Sequence, residues 1–519
     1  MHVHWSDEVA VELLKRGVKS HVIETGTSIS GVPHIGNASD VIRGDVVRKV
    51  LAEKSTPVSL IWVSDDSDPF RKVPAGMEKV KDYLGFPVKD VPDPFGCHNS
   101  FTEHFIRPFL DDLKEFGVVP THYSGTDLYR AKALLPEVRT ALARRDEIAG
   151  VLNQFRETPL VNFIPWNPIC GKCGRISSTK PVSVEGDVVK YVCESTQVAG
   201  GEVEGCGHEG VSDVSKGMGK LPWRVEWAAR WRHFGVTCEP FGKEHATVGG
   251  SYDTSKIISE RVFGWPAPQP VIYEFFTLNG EKISSSRGNI ITLSDWLKIA
   301  EPEVLRFFMY KRLQKQRDIN LSMIPALVDE YDEAERVYFG FGAEDAEGDK
   351  TKRMYQLSQA GESEYLNVPF TLCSVLAQVV SDLNAGVIVK KVRAMGYKDF
   401  SEGRLVRRVR LAGEWVGKYG PEYLQFELLD EKRADGQYSQ LDERQRECLK
   451  RLAIELDGDW TPEGFHKRIY ETARGAGLEP PRLFDAVYLT LIGKRKGPKA
   501  ASFLLSLDRE LVAKRFHNF

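Results

Sequence analysis

A chain of 519 residues, 42% hydrophobic and 28% charged, is too long for one domain and too balanced in composition for a disordered or fibrous protein. No run of 18 apolar residues appears, which excludes a membrane-spanning helix, and the opening "MHVHWSDEVA" lacks the basic flank and apolar stretch of a secretory signal. The net charge of −3 excludes a uniformly basic nucleic-acid coat and leaves that role to local patches.

"HVIET" (21–25) reads as a strand, and Ile35 to Leu51 as a helix with Ile35, Ala38, Ile42, Val46 and Val50 on one face. Between them "ETGTSISGVPHIGN", Glu24 to Asn37, carries three glycines and a proline and ends in "HIGN". Strand, glycine-rich turn, helix is the layout of a phosphate-binding corner. "PVSLIWVSDD" (57–66) is a second strand, too uniformly apolar to have a wet face. An irregular stretch from Pro69 to Asn99 follows. "FGVVPTHYSG" (116–125) predicts a third strand, and Thr126 to Asp146 a helix. This alternation predicts an α/β domain with a doubly wound parallel sheet. Residues 165–215 break the pattern, being dense in Gly, Cys, Ser and Val with hairpin-like spacing. The α/β pattern resumes at "VEWAARW" (225–231), and "PVIYEFFTLNG" (270–280) is a further strand leading into "EKISSSRGN" (281–289). Beyond Thr292 the reading is helical, with Thr292 or Ser294 as a cap and Pro302 in a first turn. "GAEDAEGDK" (342–350) predicts a hinge, and residues from about 360 onward predict an all-α region.

Eight cysteines without a signal point to metal ligation and a cytoplasmic setting rather than to disulfides. Cys170-x2-Cys173 with Cys193 and Cys206 suits a structural, tetrahedral zinc site, with His208 as an alternative ligand. Asp93, Cys97, His98 and His104 are four ligand-type side chains within 12 residues and predict a second zinc site, provided a turn lets adjacent Cys97 and His98 converge.

"HIGN" alone is a turn with a helix-start histidine, and "KISSS" alone is a polar loop. Together, about 245 residues apart and each following a predicted strand, they resemble the HIGH and KMSKS signatures of class I aminoacyl-tRNA synthetases. Asn37 stands in place of the last histidine of the first signature. Ser285 stands in place of the second lysine of the other, with Arg287 nearby. "DDSDPFRKVP" (65–74), "WRVEWAARW" (223–231), "FGKEHATVGGSYDT" (241–254) and "LTLIGKRKGPKAASFLL" (489–505) resemble one branch only, the class I lysyl-tRNA synthetases.

The resemblance implies a Rossmann-like catalytic domain over 1–290, with metal-binding insertions at 69–110 and 165–215. It also implies a helical stem-contacting region at 291–350 and an anticodon-binding helical domain at 351–519. The implied reaction activates L-lysine with ATP and Mg2+ and loads tRNA(Lys), with one or two structural Zn2+ ions. His34, Asn37, Lys282, Ser284 and Ser286 are then the catalytic groups. Gly36, Gly249, Gly250, Asp253 and Ser285 hold the nucleotide. Gly26, Ser28, Trp223, Glu226, His245 and Tyr273 line the amino-acid pocket. A carboxylate with aromatic walls suits an ε-ammonium, and Glu24, Asp65 and Asp66 rival Glu226 for that part. The basic runs "RLVRRVRL" (404–411) and "GKRKGPK" (493–499) are the RNA-facing candidates, with Trp415, Tyr419, Tyr423 and Phe426 as possible base-stacking rings. The alternatives left open are a class I synthetase for glutamate, arginine or cysteine, a related nucleotidyltransferase, and a non-catalytic zinc protein that binds tRNA.

Overall fold

The computed structural model describes residues 4–29, 31–283, 288–342 and 345–517. Ser284, Ser285, Ser286 and Arg287 therefore lie outside the described residues. By packing, the chain forms two compact units. One is Met1–Ser294 with Arg306–Ile319 and Leu357–Ala360; the other is Asp295–Leu305 with Asn320–Gln356 and Gly361–Phe519. The stretch 291–350 is thus shared between the two.

The first unit begins with α1 (Trp5–Leu14), β1 (His21–Thr27), α2 (Ile35–Glu53) and β2 (Val58–Ser64). It continues with α3 (Phe101–Glu115), β3 (Thr121–Ser124), α4 (Gly125–Arg130), α5 (Leu135–Ala143) and α6 (Arg145–Asn153). After the cysteine-rich stretch come α7 (Trp223–Phe234), β4 (Val236–Gly242), α8 (Ser251–Ile258) and β5 (Gln269–Tyr273). The five strands are parallel in the order β5-β4-β1-β2-β3. Ile23, Leu60, Trp62, Val63, Cys238 and Val271 are all buried, as both faces of a parallel sheet require. β2 and β3 lie to one side of β1, β4 and β5 to the other. The strand order therefore switches between β1 and β4, and a ligand crevice is expected outside their carboxyl ends.

Three sequence expectations change. The helix expected over Thr126–Asp146 is three helices, because Lys132 takes a left-handed φ of 63° between α4 and α5 and the chain turns again at Arg144. Only Thr121–Ser124 of the expected third strand pairs, since Phe116 and Gly117 close off α3 with backbone bonds to Leu113 and Lys114. The strand expected over 270–280 breaks at Glu274 and Phe275, so that β5 ends at Tyr273 and β6 (Phe276–Leu278) starts a separate sheet with β7 (Glu281–Lys282) and β8 (Arg317–Ile319). Asn279 and Gly280, with φ of 51° and 81°, form the tight turn between β6 and β7. Two consecutive left-handed residues are what such a two-residue hairpin demands.

The cysteine-rich insertion is a three-stranded antiparallel sheet of 179–185, 188–193 and 209–213. It packs on the irregular stretch after β2. The Ile176 and Ser177 amides both donate to the Gly85 carbonyl, and Gly200 donates to that of Arg71.

In the second unit, no strand forms among the described residues beyond 360. Arg404 and Arg408 are buried, not presented to solvent. Arg408 binds Asp332 at 2.7 and 2.8 Å and Glu301 at 2.9 Å, and Arg404 pairs with Glu301 and Glu335. Trp415 is fully buried and donates to the Leu321 carbonyl. The two arginines leave the RNA-facing set because their charges are spent on buried acids, and Trp415 because a fully buried ring has no face for a base. The hinge expected at 342–350 is partly helical, a helix starting at Ala346.

Candidate active site

His34 is the N-cap of α2. Its Nδ1 accepts the Gly36 amide at 3.0 Å, and Asn37 Oδ1 accepts the His34 amide at 3.0 Å, a reciprocal capping box. Gly36 is required at this spot, since a Cβ there would stand 2.7 Å from the imidazole. Burial pushes the His34 imidazole down to about 4, so it is neutral at pH 7. With Nδ1 accepting, the proton sits on Nε2. The start of α2 is tied to the segment just beyond the KISSS motif by the Ile35 amide, which donates to the Ile291 carbonyl at 3.0 Å.

Behind this corner lies a buried charge cluster. Glu24 stands on β1, Asp65 and Asp68 follow β2, and Glu226 and Arg230 share one face of α7. Arg230 holds Asp65 at 2.7 Å and approaches Glu24 at 3.2 Å. Lys220 meets Glu226 at 2.6 Å and also pairs with Asp68. Four carboxylates thus face two cations. Neither oxygen of Glu24 or of Glu226 has a hydrogen-bond partner, and of the two Glu24 has the longer ion pair, 3.2 Å to Arg230 against 2.6 Å from Glu226 to Lys220. Burial above all, relieved by Arg230 but reinforced by Asp65 and Glu226, pushes the Glu24 carboxyl up to about 7. Asp66 is occupied otherwise, accepting Ser124 Oγ and the Thr126 amide. Glu239, on β4, accepts both the Trp227 and Trp231 indoles.

Aromatic rings wall this cluster. Trp223 stacks on Trp227 at 5.1 Å with the Arg230 guanidinium over it, and His245 meets Trp227 edge-on at 5.6 Å. Burial lowers the His245 pKa. Gly26 lies at the carboxyl end of β1, opposite Val63, with Ser28 exposed just beyond. Tyr273 ends β5 and carries the Arg43 guanidinium 4.1 Å above its ring. Gly250 precedes α8 as its N-cap, and the Asp253 carboxylate accepts the Gly249 amide at 3.2 Å. Lys282 leaves the β6–β7 hairpin exposed, its amine 5.6 Å from the Phe275 ring centre.

The first unit thus has a parallel-sheet switch point between β1 and β4, a capped histidine corner at the start of α2, and an exposed lysine on the β6–β7 hairpin. The sequence model of tRNA synthetases class I (K) matches residues 3–361. A lysine--tRNA ligase of Methanosphaera stadtmanae is 36% identical over 99% of both chains, and one of Methanocaldococcus jannaschii 35% over 100% of both. One of Pyrococcus horikoshii is 36% identical over 99% of both.

The chain belongs to the class I (K) tRNA synthetases. ATP is the family's activating substrate.

In this synthetase the four thiols of Cys170, Cys173, Cys193 and Cys206 lie within 4.8 Å of one another. The Cys170–Cys206 and Cys173–Cys193 sulfurs are 3.7 Å apart. A tetrahedron with Zn–S bonds of about 2.3 Å has edges of about 3.8 Å, so the site fits zinc. His208 stays outside it, its ring against Tyr191. In the second cluster Asp93 accepts the amides of Phe95, Cys97 and His98, which wraps the loop so that the adjacent Cys97 and His98 both face inward. Cys97 Sγ lies 3.1 Å from His98 Nδ1 and 3.3 Å from His104 Nδ1. These donors also fit a tetrahedral ion.

Lys220, Arg230, Arg43 and Lys243 were not foreseen. Arg230 had a signal, four residues beyond Glu226 on one helix face. The others depend on tertiary contacts.

Proposed function

We propose that this synthetase is a lysine–tRNA ligase, joining L-lysine to ATP and passing the lysyl group to tRNA(Lys). The geometric observation that carries the amino-acid assignment is the surplus of buried carboxylate behind Trp223, four acids against two cations. An incoming ε-ammonium reduces that surplus. Lys220 holds Glu226 at 2.6 Å whereas Arg230 stands 3.2 Å from Glu24 and also serves Asp65, so Glu24 is the acid assigned to the ammonium, while Trp223, His245, Tyr273, Gly26 and Ser28 wall the methylenes and the α-carbon groups. The full-length kinship with lysine--tRNA ligases points the same way.

In the first step a lysine carboxylate oxygen attacks the α-phosphorus. The bond from that phosphorus to the bridging oxygen breaks, and its electron pair leaves on pyrophosphate. No protein nucleophile is needed; the work is positioning and charge stabilisation. His34 gives its Nε2 proton in a hydrogen bond to phosphate as a neutral donor, and Asn37, its Oδ1 spent on the cap, offers Nδ2. Lys282 with Ser284 and Ser286 closes over the leaving pyrophosphate, and Ser285 adds a hydroxyl. Gly36 lets the nucleotide approach the α2 backbone, Gly249 and Gly250 make room for adenosine, and Asp253 meets the ribose. In the second step a terminal ribose hydroxyl attacks the acyl carbon, AMP departs with the electron pair, and the hydroxyl proton is lost to its phosphate or to water. Mg2+ accompanies the triphosphate. The two zinc ions are structural, holding the insertions in shape. Residues 291–350 are assigned to the tRNA stem and 351–519 to the anticodon. The setting is the cytoplasm.

ATP–pyrophosphate exchange with tRNA present is the test. Lysine should drive exchange while glutamate, arginine and cysteine do not; exchange with glutamate and none with lysine overturns the assignment.

A further inference from the structure

We propose that Lys243 is a second phosphate-binding cation, acting with Lys282 on the β- and γ-phosphates of the nucleotide and on the pyrophosphate that leaves. This deepens the function proposed above and rests on it. The KISSS loop carries one lysine, at 282, and pyrophosphate departs with several negative charges. Lys243 directly follows β4, at the carboxyl end of the sheet where the strand order switches. Its amine lies 5.5 Å from the centre of the Phe275 ring, and the Lys282 amine lies 5.6 Å from that same centre. The two amines are therefore no more than about 11 Å apart, one from each side of the strand break after β5.

Lys243 is also poised to engage a ligand. More than half of its side chain is exposed (57%), whereas its ion-pair partner Glu274 is largely buried (9%). The lysine can swing while the acid stays. The neighbouring Glu244 lies close enough to α2 to push the Asp40 carboxyl further up, beyond what its burial does. The 243–244 segment is thus set against the helix that His34 caps.

The experiment is ATP–pyrophosphate exchange in the full-length enzyme with tRNA, comparing wild type, Lys243→Met, Lys243→Arg and Lys282→Met. Lys243→Met should raise the KM for ATP and for pyrophosphate by about tenfold or more, leave the KM for lysine within about twofold, and melt at the wild-type temperature. Lys243→Arg, which keeps the charge, should recover most of the loss. Wild-type KM values for both phosphate substrates in Lys243→Met overturn the proposal, as does a loss confined to lysine or a failure of arginine to rescue. A wild-type enzyme without lysine-dependent exchange sinks instead the function on which the proposal rests.

Discussion

Lys220 reaches Glu226 at 2.6 Å, both side chains buried, and the same ammonium pairs with Asp68. Burial alone would strip the lysine of its proton, but the two carboxylates outweigh it and hold the ammonium above its usual range. The pair keeps a constant charge behind the amino-acid pocket, while Glu24 nearby, met by Arg230 at 3.2 Å, is the acid assigned to the ligand.

Replacing Lys220 by Met should therefore destabilise the first unit severely. Two acids would be left in a buried site without their cation, a change that costs about 3–5 kcal/mol. Urea unfolding followed by tryptophan fluorescence checks this. A midpoint within error of wild type would mean that solvent reaches Glu226 and Asp68.

Glu24 predicts a pH dependence of substrate affinity. Its carboxyl is pushed up to about 7, whereas the lysine ε-ammonium stays charged to about pH 10. At pH 6 the acid is mostly protonated and offers no charge; at pH 8 it is mostly ionised. The KM for lysine should fall by about tenfold between those values and level off above, with the KM for ATP steady. Glu24→Gln should raise the lysine KM and flatten the profile. An unchanged profile in this variant would move the ammonium to another acid.

Much of this molecule could be read from the chain because its signals were local. The β1–α2 corner declared itself through an apolar strand, three glycines and a cap residue, all within Glu24–Asn37. Fully buried parallel stretches such as "LIWV" (60–63) carry no polar alternation to confuse them. What escaped was long-range charge pairing. "RLVRRVRL" looks like a basic stripe, yet Arg404 and Arg408 find Glu301 across about a hundred residues of chain. Lys220, in a two-residue strand that pairs with Asn167 and Pro168, gave no hint of a buried partner. The break at Glu274–Phe275, which separates β5 from the hairpin that carries Lys282, was hidden in "PVIYEFFTL", where apolar residues on both sides of Glu274 read as one strand.

Two metal ions are expected per chain. Elemental analysis after dialysis should give about two zinc equivalents, Cys97→Ser about one, and Cys173→Ser about one with a loss of thermal stability, since structural zinc contributes directly to folding. A wild-type chain with a single zinc that Cys97→Ser leaves in place would reduce the Asp93 cluster to a hydrogen-bonded loop.

With Arg404 and Arg408 withdrawn into the core of the second unit, the basic turn 493–499 is the better RNA candidate. It borders a groove of about 1050 Å³ that Tyr397, Tyr423, Tyr470 and Phe484 line together with Lys467, Arg495, Lys496 and Lys499. Gly497 lets the turn lie flat on Tyr488, where a Cβ would come within 2.6 Å of the ring, and Lys494 is spent on the Glu422 and Gln425 carbonyls. Exposed cations beside partly exposed rings suit an unpaired loop, the rings taking bases and the cations phosphates. Changing Arg495 and Lys496 together to Gln should weaken tRNA(Lys) binding at every salt concentration and lower the slope of log Kd against log salt by about 0.7 per lost contact. Tyr423→Ala should cost about 1–3 kcal/mol of binding with the slope unchanged. Arg408→Met, in contrast, should lower the unfolding midpoint and leave the salt slope where it was. Filter binding across a salt series, with thermal melts of each variant, separates the three. A slope unaffected by the Arg495 and Lys496 changes would exclude the groove as the RNA contact.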